Sequence, residues 1–424
     1  MARPVDETLL LLQQHDVTES RLRRPGYYTI VLLLTAAVFI SYIDRTNISV
    51  GAIAMQTQFG WNETQKGLVL SSFFIGYLPL MVASGALANR YGGKTVLGLA
   101  VIWWSLFTAL TPPAALISLP ALVCARVALG LGEAAVYPAS FNMIGRWVPA
   151  LHRSRAVALM TSGAALGTVF ALPVSGWLVR DYGWPLPFYA FGAAGLVWAG
   201  IWFTRLRGGY GAELPRSSAR APIPWHALMH SPAVWAIIVG HFCYNWCSYV
   251  LLAWLPSYFK STFGVNVADA GLFSAAPWLV GFLMANLAGY LADHLLRVGC
   301  SATLVRKLAQ TIGLTGAGIF LLLLPGATSI TWAVILMCIA AGLLALCLAG
   351  FPPNCLDIAP HHADVLYGIS NTIATLPGLF GVFITGWLVD QTGSFAVALL
   401  VTAGVAILGA VVFLSFASGQ RQFG

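Results

Sequence analysis

Charge is scarce in this chain. Only 8% of its 424 residues are Asp, Glu, Lys or Arg, against 58% hydrophobic residues, and a mean hydropathy of +0.80 excludes a water-soluble globule. Alternating polarity is missing too: the apolar segments are continuous, unlike the strands of an outer-membrane barrel. The seven cysteines form no close two-pair array, so neither a zinc cluster nor a disulfide framework is indicated. Cys243 and Cys247 share a helix face but have no His or carboxylate at ligand spacing, and packing is the plainer reading. No G-x-x-x-x-G-K-[ST] loop occurs among the 43 glycines, which argues against ATP-driven chemistry. No nucleophile elbow, metal cluster or attached soluble domain points to an enzyme, and no cofactor or metal is expected. The first 26 residues hold no short apolar stretch followed by a cleavage site, so no signal peptide is expected. The apolar tetrad from Leu9 to Leu12 reads as a surface turn.

Long apolar runs are what the chain has in quantity. Twelve can be traced, over 28–53, 67–88, 95–112, 117–143, 156–179, 186–204, 233–258, 269–292, 303–325, 329–355, 364–389 and 394–417. Each is long enough to cross a hydrocarbon core of about 30 Å as a helix. The expected fold is an all-α membrane protein with twelve transmembrane helices. With the N-terminus placed in the cytoplasm, 17 of the 22 Lys and Arg residues fall on that side, Lys66, Arg180 and Lys260 fall opposite, and Arg45 and Arg126 are intramembrane. This bias follows the positive-inside rule and puts both termini in the cytoplasm. It also accounts for most of the net charge of +8, so no nucleic-acid partner is expected. Short termini and compact loops suit a bacterial inner membrane, with the membrane of an intracellular organelle as the alternative.

Residues 207–231 are polar and interrupted by Gly208, Gly209, Gly211, Pro215, Pro222 and Pro224, the composition of a linker. The expected organisation is a cytoplasmic tail over 1–26, a six-helix bundle over 27–206, a cytoplasmic linker over 207–231, a second six-helix bundle over 232–418 and a tail over 419–424. The halves echo each other. Gly176-Trp177-Leu178-Val179 returns 210 residues later as Gly386-Trp387-Leu388-Val389, Gly85-Ala86-Leu87-Ala88-Asn89 returns after 204 as Gly289-Tyr290-Leu291-Ala292-Asp293, and Trp147-Val148-Pro149 returns after 211 as Ile358-Ala359-Pro360. Near-constant offsets argue for duplication into two pseudo-symmetric bundles with a site between them at mid-depth, the plan of a rocking transporter.

Four of the few charges lie where hydrocarbon should be: Asp44 and Arg45 in the first run, Arg126 and Glu133 in the fourth. Ionisable groups at that depth are costly and mark ion or substrate paths. Arg126 and Glu133 are seven apart, on one helix face with a rise of about 10.5 Å between them. Gly130 lies between them and leaves a notch for a ligand or a neighbouring backbone. The competing reading pairs each with a charge on another helix; a purely structural buried pair adds little net stability, which favours function. Asp44 and Arg45, being adjacent, point about 100° apart and serve different partners. Arg45 is expected to face the cavity and hold a substrate carboxylate in its planar fork, with Arg126 as a second cationic ligand. The alternative is a cap, or a pair with Asp44 at the membrane edge. Asp44 and Glu133 are expected to load and release protons as the hydration of the cavity alternates.

Tyr77, Tyr244, Ser370 and Asn371 offer hydrogen bonds suited to a sugar acid. The two tyrosines fit equally well as ordinary buried aromatics, and of the adjacent pair Ser370 and Asn371 one faces the cavity. His241, His361 and His362 invite a pH-sensor reading, but the last two fall at a helix end where solvated histidines are ordinary. Asp357, near Pro360, is expected to be a gate or helix-end charge.

The stretch Gly85-Ala86-Leu87-Ala88-Asn89-Arg90-Tyr91-Gly92-Gly93-Lys94 resembles the loop signature of the major facilitator superfamily. Its usual Asp is Asn89 here, which weakens the charge latch attributed to that loop, whereas the second copy keeps Asp293. Asn89, Arg90, Asp293 and Asp357 are the gating residues this resemblance suggests. Tyr42-Ile43-Asp44-Arg45-Thr46-Asn47, the segment from Arg126 to Glu133, Asn354-Cys355-Leu356-Asp357-Ile358-Ala359-Pro360 and Gly368-Ile369-Ser370-Asn371-Thr372 are similar to the anion:cation symporter branch. His241-Phe242-Cys243-Tyr244-Asn245-Trp246 is closer to sialin than to the vesicular glutamate transporters. Cys355 stands where the motif usually has His, so a proton role of that His does not carry over. The resemblance implies a proton-coupled symporter of organic monoanions of the sugar-acid, hexuronate or sialic-acid type, as in bacterial sugar-acid:proton symporters. Its expected partners are a small organic anion, protons and the lipid bilayer, and it is expected to act as a monomer. In the expected cycle, protonation of both carboxylates frees Arg45 for the anion, rocking exposes the site to the cytoplasm, and deprotonation returns a competitor for the arginine. The alternative is an organic-anion exchanger or membrane-potential-driven carrier, which needs the arginines but no titrating carboxylate.

Overall fold

The computed structural model describes residues 26–206 and 224–423. The tail over 1–25, with the Leu9 to Leu12 turn, and residues 207–223 of the expected linker lie outside the described residues. Helices dominate, and no strand occurs among the described residues. The first half runs α1 Gly26–Phe59, α2 Glu63–Tyr91, α3 Gly93–Ile117, α4 Leu119–Glu133, α5 Val136–Trp147, α6 Arg153–Tyr182 and α7 Pro185–Arg205. The second runs α8 Trp225–His230, α9 Pro232–Phe263, α10 Val267–Arg297, α11 Ala302–Leu323, α12 Ile330–Ala345, α13 Phe351–Ile358, α14 Ala363–Thr392 and α15 Phe395–Phe416. Eleven spans among the described residues are long and apolar enough to cross a membrane, and twelve when α2, bent by 52° between Met81 and Ala83, is taken as one. The protein is a multi-pass membrane protein of two pseudo-symmetric six-helix bundles.

Local sequence sets the helix ends. At α2 the Asn62 side chain accepts the Gln65 amide at 2.8 Å while the Gln65 side chain accepts the Asn62 amide at 3.1 Å, a reciprocal cap. Helices α9 and α14 stop at Gly264 and Gly393, whose φ values of +68° and +66° favour a residue without Cβ.

Two apolar runs that read as single helices are broken, and both breaks have one cause. The fourth span divides into α4 and α5: Pro138 has no N–H for the Ala134 carbonyl, and the Ser84 hydroxyl from α2 donates to that oxygen at 3.1 Å instead. The tenth span divides into α12, a 3-10 turn at Leu346–Ala349, and α13. There Pro353 releases the Ala349 carbonyl, and Arg306 Nη1 from α11 donates to it at 3.1 Å.

Small residues set helix spacing, as expected where lipid removes most of the hydrophobic drive between helices. A Cβ at Gly163 of α6 would lie 2.5 Å from the Thr35 carbonyl oxygen of α1, and one at Gly167 would lie 2.5 Å from that of Phe39. Between the bundles, α2 packs against α14 and α6 against α10. Gly67 meets Gly386 in the first of these seams, with a Cβ at Gly386 falling 2.5 Å from the Glu63 carbonyl oxygen. In the second, Gly176 abuts Val267 and Ala268, and Gly271 abuts Leu172. The repeated Gly-Trp-Leu-Val motif therefore contributes one glycine to each seam, at the face opposite the chain termini, called here the outer face. Thr64 Oγ1 adds a 2.8 Å hydrogen bond to Asp390 across the first seam.

Candidate functional site

The intramembrane charges converge midway along α1 and between the middle and the end of α4, which is mid-depth in the fourth span. Arg45 Nη2 donates to Glu133 Oε2 at 3.0 Å, with both side chains buried. Ser41, one turn before Arg45, donates to the same oxygen at 2.8 Å. The pair is single-toothed, because Arg45 Nε and Glu133 Oε1 have no hydrogen-bond partner. Three rings surround the Arg45 guanidinium, Phe73 at 4.5 Å, Tyr77 at 4.9 Å and Tyr42 at 5.0 Å, an arrangement that holds a cation by its faces and leaves its edges for anions.

Asp44 points elsewhere, as adjacency on a helix requires. It faces Thr108 and Trp104 of α3, yet neither closes a hydrogen bond on it, and both carboxylate oxygens lack a partner. Arg126 is 1% exposed, lies within electrostatic reach of Asp44 and Glu133, and has Nε and Nη1 without partners. Buried polar groups are rarely left unpaired in this number. The chamber thus holds two cations and two carboxylates with one ion pair made.

Arg45 and Arg126 line a common cavity of about 20 Å³ with Ser49, Phe74 and Tyr249, the last from α9 of the other bundle. A water needs at least about 10–15 Å³, so the cavity is of water size and would have to widen for a larger solute. Seams of α2 with α14 and α6 with α10 close the outer face. Towards the terminus-bearing face α2 meets α14 where Asn371 Nδ2 lies on Met81 Sδ at 3.3 Å, and Asn89, Arg90, Tyr367 and Gly368 nearer that face are exposed.

The remaining candidates separate into groups. Tyr77 is buried in the ring cage of Arg45. Tyr244 leans on Phe351 at 5.5 Å inside the second bundle. Ser370 does not present a free hydroxyl, because His241 Nδ1 holds it at 2.9 Å while the imidazole stacks on Phe351 at 4.1 Å. The Gly130 notch takes backbone: a Cβ there would collide with the Phe73 carbonyl, as one at Gly76 would with that of Val127. Asn89 accepts from Asn142 Nδ2 at 2.8 Å, a hydrogen bond between side-chain amides within the first bundle, and Arg90 lies over its neighbour Tyr91. Asp293 is exposed. Asp357 does not stand at a crossing between bundles: Arg306 Nε donates to it at 2.7 Å within the second bundle, and the same guanidinium satisfies the Ala349 carbonyl. His362 is 5% exposed, which corrects the expectation that it is solvated, while its neighbour His361 is exposed. No group of His, Cys, Asp or Glu among the described residues is arranged to hold a metal ion.

Sequence reasoning missed Ser41, Tyr42, Phe73 and Tyr249 around the chamber. Helical spacing carried the signal for two: Ser41 is four residues before Arg45, and Tyr249 follows Asn245 by four and His241 by eight, on one face of α9.

Known proteins share this plan. The sequence profile of the Major Facilitator Superfamily matches residues 34–382. A protein named probable anion transporter 4, chloroplastic, from Oryza sativa subsp. japonica is 38% identical over 98% of this chain and 72% of its own length. Two Arabidopsis thaliana proteins are also similar. Sodium-dependent phosphate transport protein 1, chloroplastic, is 39% identical over 94% of this chain and 80% of its own length. The ascorbate transporter, chloroplastic, is 37% identical over 94% and 76%. Among solved structures, a bacterial homolog of the human lysosomal transporter Spinster, inward-facing and unoccupied, superposes with a TM-score of 0.74 at 20% identity, covering 93% of this chain and 96% of that one. The D-xylose-proton symporter does so at 0.74 and 18%, covering 93% and 99%. With the family profile spanning most of its length and relatives aligned nearly end to end, the chain belongs to the Major Facilitator Superfamily of membrane transporters and is not an enzyme.

Proposed function

We propose that the protein is a proton-coupled symporter of small organic anions, of the sugar-acid, hexuronate or sialic-acid type, working by alternating access. The observation that carries the reading is Glu133 seated on Arg45 in a chamber closed to the outer face. That is the arrangement expected after release, when a deprotonated carboxylate has reclaimed the arginine that held the anion. Protonation of Glu133 removes the competitor, and the Arg45 fork, with the open edges of Arg126, then receives the substrate carboxylate. Asp44 is the second proton carrier. Tyr77, Tyr244, Asn371 and, beyond the earlier set, Tyr249 supply hydrogen bonds to hydroxyl groups, and Asn89, Arg90 and Asp293 belong to the loops that reset when the terminus-bearing face closes.

The bundles over 27–206 and 232–418 move as units about the linker over 207–231, with both termini cytoplasmic by the distribution of Lys and Arg. Anion transport has independent support in relatives whose names give anions, phosphate and ascorbate. Those relatives are named for the chloroplast, and the same mechanism would serve in a plastid membrane as in a bacterial inner membrane. One relative is named sodium-dependent, which sets the control. Purified protein in proteoliposomes is given labelled sugar acids, ascorbate and phosphate under an imposed pH gradient, an imposed sodium gradient, or neither. Accumulation driven by the pH gradient alone supports the proposal. Uptake driven by the sodium gradient instead would assign the chain to sodium coupling, and uptake indifferent to both gradients would assign it to exchange or to potential-driven transport.

A further inference from the structure

Lys66 is a buried cation that the transport cycle above does not use. Read from sequence it belongs with the few outer-face charges, but it is 2% exposed. Its Nζ lies 2.6 Å from Glu63 Oε2 and donates to Gln56 Oε1 at 2.8 Å. Gln56 Nε2 in turn donates to Glu63 Oε1 at 2.9 Å, which closes a triangle of side chains from α1 and α2. The remaining face of the ammonium looks across the bundle boundary to the Trp254 ring of α9, 5.1 Å away. Trp254 is itself fixed, its Nε1 donating to the Val382 carbonyl of α14 at 2.9 Å. The cluster sits beside the Gly67–Gly386 crossing and one residue from the Thr64 to Asp390 hydrogen bond.

An ammonium removed from water is tolerated only when its neighbours replace the hydration it loses. Here one carboxylate, one amide and one indole do so, and the indole arrives only when the bundles meet. We infer that Lys66 is a further positioning residue of the transport cycle: it makes closure of the outer face conditional on Glu63, Gln56 and Trp254 all being in place around it. Parting of the seam withdraws Trp254 and hydrates the cation. Removing a compensating partner while the cation stays therefore opens the outer face, and removing the cation as well restores closure. The inference concerns which face is shut, whatever solute is carried and whether or not protons drive it.

Hydrogen exchange followed by mass spectrometry on the full chain in lipid nanodiscs tests it, without substrate. Glu63→Gln keeps the size of the side chain and its link to Gln56 while discharging it. The expected result is faster exchange, by about tenfold, in the segment over 383–390 on the partner bundle, with return to the wild-type rate in Glu63→Gln/Lys66→Met. Lys66→Met alone should exchange no faster than wild type. Faster exchange confined to 63–70 would show only fraying of α2 and would overturn the inference. So would a double variant as fast as Glu63→Gln, because the effect would then be packing rather than charge, and so would no change at all.

Discussion

Replacing Glu133 by Gln should separate anion binding from anion release. At the 3.0 Å separation of Arg45 Nη2 and Glu133 Oε2, the pair attracts by about 5.5 kcal/mol at an effective dielectric of 20. An incoming carboxylate must displace that attraction, so the wild-type site binds the anion with the competitor's share subtracted. If a quarter to a half of it persists against the bound anion, its removal tightens binding by about 1.4–2.8 kcal/mol, or roughly ten- to a hundredfold. Gln keeps an acceptor for the Ser41 hydroxyl, so local packing survives. The uncompensated Arg45 costs stability, and adding the anion should recover it. The assay is a pair of measurements on purified protein: the dissociation constant of the transported acid at neutral pH, and its accumulation in proteoliposomes. Tighter binding that no longer weakens as pH rises, together with lost accumulation and retained exchange of labelled for unlabelled substrate, is the predicted outcome. Unchanged affinity with accumulation that still follows the pH gradient would refute the competition between Glu133 and substrate.

Three further outcomes follow from the geometry. Gly130→Ala puts a methyl group against the Phe73 carbonyl, forces α2 from α4 and disturbs the ring cage of Arg45; a loss of at least about 1–3 kcal/mol should appear as a lower unfolding midpoint, together with weaker substrate binding. Arg306→Ala strands both Asp357 and the Ala349 carbonyl, and should destabilise the protein by about 2–4 kcal/mol with KM within about twofold of wild type, as measured by thermal unfolding and uptake. Because His241 already holds Ser370, Ser370→Ala should raise KM by less than about threefold, whereas Tyr249→Phe, which strips a hydroxyl from the chamber, should raise it by about tenfold; uptake kinetics of the two variants side by side decide between them.

Much of the architecture was legible because the bilayer imposes a coarse rule on sequence: twelve apolar runs, the duplicated Gly-Trp-Leu-Val and the polar middle segment all follow from it. The four intramembrane charges were legible for the same reason, since they lie well inside their runs, whereas Asp269, Arg306, Lys307 and Asp364 fall within the first five residues of theirs. What hydropathy could not resolve was pairing and interruption. Arg45 and Glu133 lie 88 residues apart, and only the packing of α1 beside α4 makes them partners. The breaks before α5 and α13 were hidden because Pro138 and Pro353 are embedded in otherwise apolar sequence, and the donors that relieve their freed carbonyls, Ser84 and Arg306, come from other helices. Lys66 looked like an outer-loop charge because its burial depends on Trp254, a residue of the other bundle. Asp357, expected as a gate or helix-end charge, lies at the end of α13, and its pairing was not legible because Arg306 is 51 residues away on a neighbouring helix. Ser370 looked available because the imidazole that engages it is 129 residues away.

The most direct test of proton-coupled anion transport is lumenal pH in proteoliposomes loaded with a pH-reporting dye, recorded as a transported acid is added outside with membrane potential clamped and no starting pH gradient. The account predicts that the lumen acidifies as the labelled acid enters, and that Asp44→Asn and Glu133→Gln abolish the acidification. Entry of the acid at the wild-type rate with lumenal pH unmoved would contradict it.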